Sequence, residues 1–433
     1  MPSLAIKLGY SGGNLGKSIV WASFESFLLF YMVKFAGFSP LTAGGLLAAM
    51  MFWDAAADVG VAYLADRHGK AGALGRLILL GAPLCGISYW LIFAARLNGA
   101  IVVAVVVLCR VGYTLCDIGH NTLLIRVAPT PRGATTVSGL RLIFSSAGAG
   151  IVGLASAHIL SLGDPSSQRT AFATCAMVGG TIYIITLITS MWATRNVPTA
   201  RSEERPSNFM TMFGALRRNL PYRKILVLIA LQAGLIPMFI RALPFFGEIA
   251  RGDAGWGGTA LMTITLSQAA SLPVWIWLSR IRSAPQILTI AYAIMGFAIV
   301  VLAFFTKASL DGVPLAIMGI AHAGMNMAIW AMLTSAVQGG IAEGGSTEAL
   351  PVGLFLATLK AASGIGNLLF ASAVASQDWR CVACTDIDRT PFLLTVLGLP
   401  LFGCFAALVV NVSMPRHSPS PRAETSERSS AVW

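Results

Sequence analysis

Asp54 and Asp58 stand in the run Trp53-Asp54-Ala55-Ala56-Ala57-Asp58, inside an apolar stretch from Pro40 to Leu64. On a helix, a spacing of four places both carboxylates on one face, one turn apart. The stretch is long enough to cross a hydrocarbon core of roughly 30 Å, where each ionised group costs about 2.5–3.5 kcal/mol on insertion scales. Charges persist there only beside a counter-charge, a proton, a cation or a water-filled cavity, so the pair has the chemistry of a coupling-ion site. His120 and His322 also lie in apolar segments, either as proton shuttles or as hydrogen-bonded core histidines.

The elements that position these groups are membrane helices. The chain of 433 residues is 56% apolar and 11% charged, which excludes an ordinary soluble domain. Its 44 glycines and 20 prolines are spread through apolar segments, as in closely packed and broken membrane helices. The hydrophobic runs predict an all-α polytopic membrane protein of twelve transmembrane helices, at 15–36, 40–65, 73–95, 98–127, 135–161, 170–193, 225–249, 256–279, 285–306, 314–339, 350–376 and 391–413. A basic interruption from Arg195 to Lys224 divides them into two bundles of six: residues 1–194 and 225–413, joined by a loop at 195–224. Arg67, Lys70, Arg76, Arg126, Arg280 and Arg282 fall on the side of that loop, so both termini are expected in the cytoplasm and the protein in the inner membrane. The tail at 414–433, rich in Ser, Pro and charge, is expected to be disordered. The net charge of +12 has no aromatic interleaving and no nucleic-acid motif around it, and follows the positive-inside pattern instead.

Six helices plus six around a basic loop is the organisation of the major facilitator superfamily. The segment Ala62-Tyr63-Leu64-Ala65-Asp66-Arg67-His68-Gly69-Lys70, with Leu74 beyond, resembles that superfamily's G-x-L-a-D-R-x-G-R/K-x-x-x-L signature, with Ala62 in place of the first glycine. The resemblance makes Asp66, Arg67 and Gly69 a cytoplasmic gate: the charges bridge neighbouring helix ends and the glycine permits a tight turn. A finer resemblance is to the glycoside–pentoside–hexuronide:cation symporters, the melibiose permease family. It is carried by Gly12-Gly13-Asn14-Leu15-Gly16-Lys17, Tyr31, the Trp53-Asp54 run, Tyr113-Thr114-Leu115-Cys116-Asp117-Ile118, Arg141 and Leu359-Lys360-Ala361-Ala362-Ser363-Gly364. It implies that Asp54 and Asp58 bind H+ or Na+, with Lys360 approaching them from the second half. It implies also that Lys17, Tyr113, Asp117 and Arg141 line a sugar site. A lone ammonium and several carboxylates at low dielectric favour such a compensated arrangement.

Departures from the family pattern bear on the solute. Ser18 stands where the family has an acid after the lysine, and Glu25, two turns on along the same face, either takes over that acidic role in the substrate site or is hydrogen-bonded within the bundle. Val59 replaces the proline of the W-D-A-x-x-D-P pattern, and Gly119, His120 and Asn121 stand where proline and aromatic residues are usual. Arg110 is placed to pair with Asp117; Arg241 either meets an anionic solute or pairs with Glu248. Trp53, Trp275, Trp277 and Trp330 either face a cavity or pack and face lipid. Cys381 and Cys384 form a C-x-x-C that suits a short disulfide or two thiols, and no cofactor is expected. These features predict a monomeric carrier in the lipid bilayer, coupling a small sugar-like or glycoside-like solute to H+ or Na+. The alternatives are a proton-coupled exporter of an amphiphilic or anionic solute, a membrane-embedded enzyme and a non-transporting receptor; no nucleotide loop or nucleophile elbow supports the enzyme.

Overall fold

The computed structural model describes residues 2–68, 72–94, 99–162, 164–198, 209–253, 255–304, 311–342, 348–375 and 390–413. Gly69, the Cys381–Cys384 pair and the tail therefore lie outside the described residues. The described chain forms twelve helical spans: α1 (Leu4–Ser23, continuing through a π-helical turn into Leu29–Lys34), α2 (Pro40–His68), α3 (Ala73–Ala94), α4 (Gly99–Val127), α5 (Pro131–Ser161) and α6 (Pro165–Thr194), then α7 (Leu220–Gly234, resuming as Met238–Phe246), α8 (Trp256–Leu278), α9 (Ala284–Phe304), α10 (Gly312–Ala342), α11 (Ala349–Ala375) and α12 (Thr390–Leu393, continuing through a π-helical turn into Leu399–Val412). Eleven of these spans are long and apolar enough to cross a membrane; α1, which carries Lys7, Lys17, Glu25 and Lys34, is the exception. The expected spans are all present, but α1 begins eleven residues earlier than position 15. The segment expected as a plain loop contains a short helix, Phe209–Arg218, whose Phe209 ring packs edge-on against Tyr63 of α2.

Within the first six helices, α1 packs on α5 and α6, and α3 on α4 and α6. Within the last six, α9 packs on α10 and α12, and α8 on α10. The two sets meet chiefly along α2–α11 and α5–α8. Glycines make these crossings close. A Cβ at Gly44 would overlap Ala371, one at Gly353 would overlap Ala62, and one at Gly258 would meet the backbone of Ala157. Small residues at such positions are what helices need where lipid supplies no hydrophobic drive to associate.

Two irregularities shape the centre. In α7, the helix is interrupted between Gly234 and Met238, where Pro237 has no N–H to continue the ladder. The carbonyls of Ala233 and Gly234, released by that break, accept from the Arg241 guanidinium at 3.2 and 3.4 Å. Broken backbone at membrane depth is tolerated only when it is satisfied in this way. The π-helical turn in α1, Phe24–Leu28, carries Glu25 toward the same arginine. A Cβ at Gly366 would occupy the space of the Arg241 guanidinium, so α11 makes room for it with glycine.

Candidate functional site

A cavity of about 300 Å³ lies between the two sets of helices, at the small end of the range for ligand sites of roughly 300–1,000 Å³. From the first set it is lined by Asn14, Lys17 and Glu25 of α1, Tyr113, Asp117 and Asn121 of α4, and Arg141 of α5. From the second set come Gln232 of α7, Gln268 of α8, His322, Asn326 and Trp330 of α10, and Lys360 of α11. The expected residues Lys17, Glu25, Tyr113, Asp117, Arg141 and Lys360 are thus brought to one chamber. Asp54 and Asp58 are fully buried and sit behind its wall.

A chain of charge links them. Lys360 Nζ lies 2.9 and 2.8 Å from the two oxygens of Asp58, and 3.5 Å from Asp117 Oδ2. Lys17 Nζ lies 2.6 Å from the other Asp117 oxygen and donates to Asn121 Oδ1 at 3.1 Å. Asn121 Nδ2 in turn donates to Asp117 Oδ1 at 2.7 Å. One ammonium therefore joins a carboxylate of α2 to a carboxylate of α4 from the opposite half of the molecule. Burial of these groups at under a tenth exposure is tolerable only because each ion meets an opposite one.

Asp54 takes another partner. It pairs with Arg110 of α4, whose guanidinium lies 5.4 Å from the ring centres of Phe24 and Tyr113. The expected Arg110–Asp117 pair does not form, because Lys17 and Lys360 already occupy Asp117. Asp54 Oδ1 is buried without a protein donor. Arg241 also departs from expectation. It pairs with Glu25 at 2.5 Å and donates to Ser363 Oγ at 2.6 Å, while Glu248 meets Lys34 at 3.2 Å. The Glu25–Arg241 and Lys34–Glu248 pairs both cross between the two sets of helices, and the Phe30 and Phe245 rings meet beside them, 5.9 Å apart.

The end of the molecule that carries the central connection is bridged too. Asp66 accepts from the backbone N–H groups of Glu348, Ala349 and Leu350 at 2.8–3.3 Å, capping the first turn of α11. A carboxylate at a helix N-terminus satisfies orphan donors and the helix dipole together. Arg126 donates to Glu348 at 3.0 Å, and Gln338 Nε2 to the Ala128 carbonyl at 2.6 Å. Arg67 is exposed and turns back to Tyr63 OH at 2.7 Å on its own helix. Contacts between the two sets of helices are therefore present at both ends of the molecule.

The sequence and the fold both match known proteins. Residues 9–416 fit the family described as MFS/sugar transport protein. The chain belongs to that family. It is a membrane transporter of the major facilitator superfamily and not an enzyme. A relative in Bacillus subtilis (strain 168), the uncharacterized symporter YnaJ, is 22% identical over 231 residues. That match covers 51% of this chain and 49% of the relative, so the chain spans about half the length of the curated protein it matches. Among solved structures, the transporter FucP in the outward conformation aligns with a TM-score of 0.62 at 13% identity, covering 95% of this chain and 97% of that one. A variant of the E. coli fucose:proton symporter FucP aligns with a TM-score of 0.63 at the same identity and coverage. A bacterial homologue of the human drug peptide transporters aligns at 0.56 with 15% identity, again over 95% and 97% of the two chains. At these identities the structures establish the shared fold.

Sequence reasoning missed the uncharged polar residues of this transporter's chamber: Asn14, Gln232, Gln268, Asn326 and Ser363. The signal available was a polar side chain one turn from another on an apolar helix, as Asn14 is from Ser18 and His322 from Asn326. His120 is a core histidine, stacked on Tyr10 and bonded to the Tyr10 carbonyl at 2.9 Å. His322 Nδ1 meets Gln268 Oε1 at 2.8 Å on the chamber wall. Of the four tryptophans considered from the sequence, Trp330 lines the chamber, Trp275 is buried against α10, and Trp53 and Trp277 are exposed on the outer surface.

Proposed function

We propose that this transporter is a cation-coupled symporter of a sugar, glycoside or related polar solute, working by alternating access. The observation that carries the reading is Lys360, one ammonium held between Asp58 and Asp117. In this reading residues 1–194 and 225–413 are the two rocking halves, joined through 195–224, and the chain works as a monomer in the inner membrane with both termini cytoplasmic. Asp58 and Asp54 are the coupling carboxylates, and H+ or Na+ is a transported substrate. The solute contacts Lys17, Tyr113, Asp117, Arg141 and Glu25. Asp66, Arg67 and Gly69 belong to the cytoplasmic gate.

A cation that takes Asp58 removes the charge that Lys360 compensates, and the ammonium then turns toward Asp117. That redistribution changes the field in the chamber where the solute binds. Because Asp58 and Lys360 lie on helices from opposite halves, it also changes the strength with which α2 holds α11. A ligand shifts a conformational equilibrium only by its differential affinity for the two states, and this ion pair supplies such a difference.

The test is purified protein in sealed vesicles containing a pH dye, challenged with neutral sugars, glycosides, uronic acids and amphiphiles, with and without Na+. Solute-triggered proton entry or Na+-dependent uptake, lost in Asp58→Asn while solute exchange persists, is expected. Undiminished accumulation by Asp58→Asn would remove the carboxylate from the mechanism.

A further inference from the structure

Resting on the transport reading above, the charges around the chamber point to the kind of solute. Two buried pairs are closed: Arg110 with Asp54, and Arg241 with Glu25. The remaining cluster sets three cations, Lys17, Arg141 and Lys360, against two carboxylates, Asp58 and Asp117. Among the described residues, Arg141 has no carboxylate within ion-pair distance. Its partners are neutral amides: Nη2 donates to Asn121 Oδ1 at 2.5 Å, and Nε to Asn14 Oδ1 at 3.4 Å. Asn121 Oδ1 is already shared with Lys17. The guanidinium carbon lies 4.5 Å from the Trp330 ring centre. Amides and a ring orient a guanidinium without cancelling its charge, and an uncompensated ion at low dielectric is costly.

We propose that the solute carries one negative charge and that Arg141 holds it. The planar guanidinium is held by the two amide acceptors and the adjacent Trp330 ring, and its geometry suits a carboxylate or a similar oxyanion. The second half contributes apolar lining from Ile229, Ile240, Leu261, Ile264, Leu356 and Leu359, which suits an uncharged body attached to the anionic end. Loading a coupling cation alone would raise the excess positive charge, and an anionic solute offsets it. Each ligand therefore strengthens the binding of the other, and by linkage the coupling is reciprocal.

The same geometry supplies a way to cancel the charge from within. Ser18 is one turn from Asn14 on α1, and both bond to Ser145 of α5, at 2.6 and 3.2 Å. Ser145 is itself one turn from Arg141, so a carboxylate at position 18 falls beside the guanidinium. Isothermal titration in detergent would compare p-nitrophenyl β-D-glucuronide with p-nitrophenyl β-D-glucoside, which differ in a carboxylate against a hydroxymethyl group. The wild type is expected to bind the glucuronide at least about tenfold tighter. Ser18→Asp should abolish that preference while keeping the glucoside and melting no lower than wild type. Arg141→Gln should level the two ligands as well. Equal or weaker glucuronide binding by the wild type, or a preference that survives both substitutions, would overturn the proposal. If neither sugar binds, the sugar reading fails and the charge reading is decided by benzoate against benzamide. Preference for benzoate lost in Ser18→Asp supports it, and parity, including no binding by either, overturns it.

Discussion

Replacing Lys360 by methionine keeps most of the buried stem and removes the ammonium, which leaves Asp58 at zero exposure with no cation within reach. Breaking one side of a buried ion pair costs about 3–5 kcal/mol, mostly from the charge left behind. Asp58→Asn is milder, because Lys360 keeps Asp117 at 3.5 Å; a loss of about 1–3 kcal/mol is expected. The double variant leaves no stranded ion, and Asp117 keeps Lys17 at 2.6 Å, so the cost falls to that of one poorly paired amide, about 1–2 kcal/mol. The double should therefore be more stable than Lys360→Met alone, a strong departure from additivity. Unfolding in mixed micelles, titrated with a denaturing detergent and followed by tryptophan fluorescence, measures all four corners of the cycle. A double variant at least as unstable as Lys360→Met alone would refute the reasoning, since the two groups would then not be each other's compensation.

Further perturbations probe other contacts. Asp54→Asn strands Arg110 and should destabilise the protein by about 3–5 kcal/mol, with recovery on adding Arg110→Leu in the same unfolding assay. Gly44→Ala and Gly353→Ala act in opposite directions: each adds a methyl where α2 and α11 touch, at the end away from the central connection and at the end near it, respectively. An overlap worth about 1–3 kcal/mol should raise modification of a cysteine at Asn326 about tenfold, from the end loosened in each variant, in a cysteine-free background. Asp66→Ala removes the cap of α11 and should favour opening at the central-connection end by about 1–2 kcal/mol, read as faster modification from that side only. A monoanionic solute moving with one monovalent cation carries no net charge, so an imposed membrane potential should leave its steady-state accumulation unchanged.

The helices and the ionisable residues inside them were legible in the sequence, because a charge in an apolar stretch needs only chain position to be noticed. Their partners were not. Asp54 with Arg110, Glu25 with Arg241 and Arg126 with Glu348 each join residues on different helices, and which pair forms depends on helix rotation and depth. A helical period shows which residues share a face and leaves open which neighbour that face meets. Arg241 illustrates the limit: Glu248 lies two turns along the same span, yet the break at Pro237 and the π-helical turn in α1 bring Glu25 to it instead. The capping of α11 by Asp66 was legible only as a charge at a helix end. Asn14 and Asn121 were visible in the sequence, one in a motif and one as a departure from it, but nothing there paired either with Arg141.

The sharing of Lys360 has a consequence for counting. If the ammonium leaves Asp58 for Asp117 when a cation binds, as proposed, it can do so only once before it must return, and would act as a one-bit memory of whether the carboxylate behind the wall is occupied. On that reading the carrier would register one ion per cycle however many the medium offers. Drawing energy from a second ion would take another ammonium poised between two acids, and among the described residues every other buried cation either serves one carboxylate or serves none.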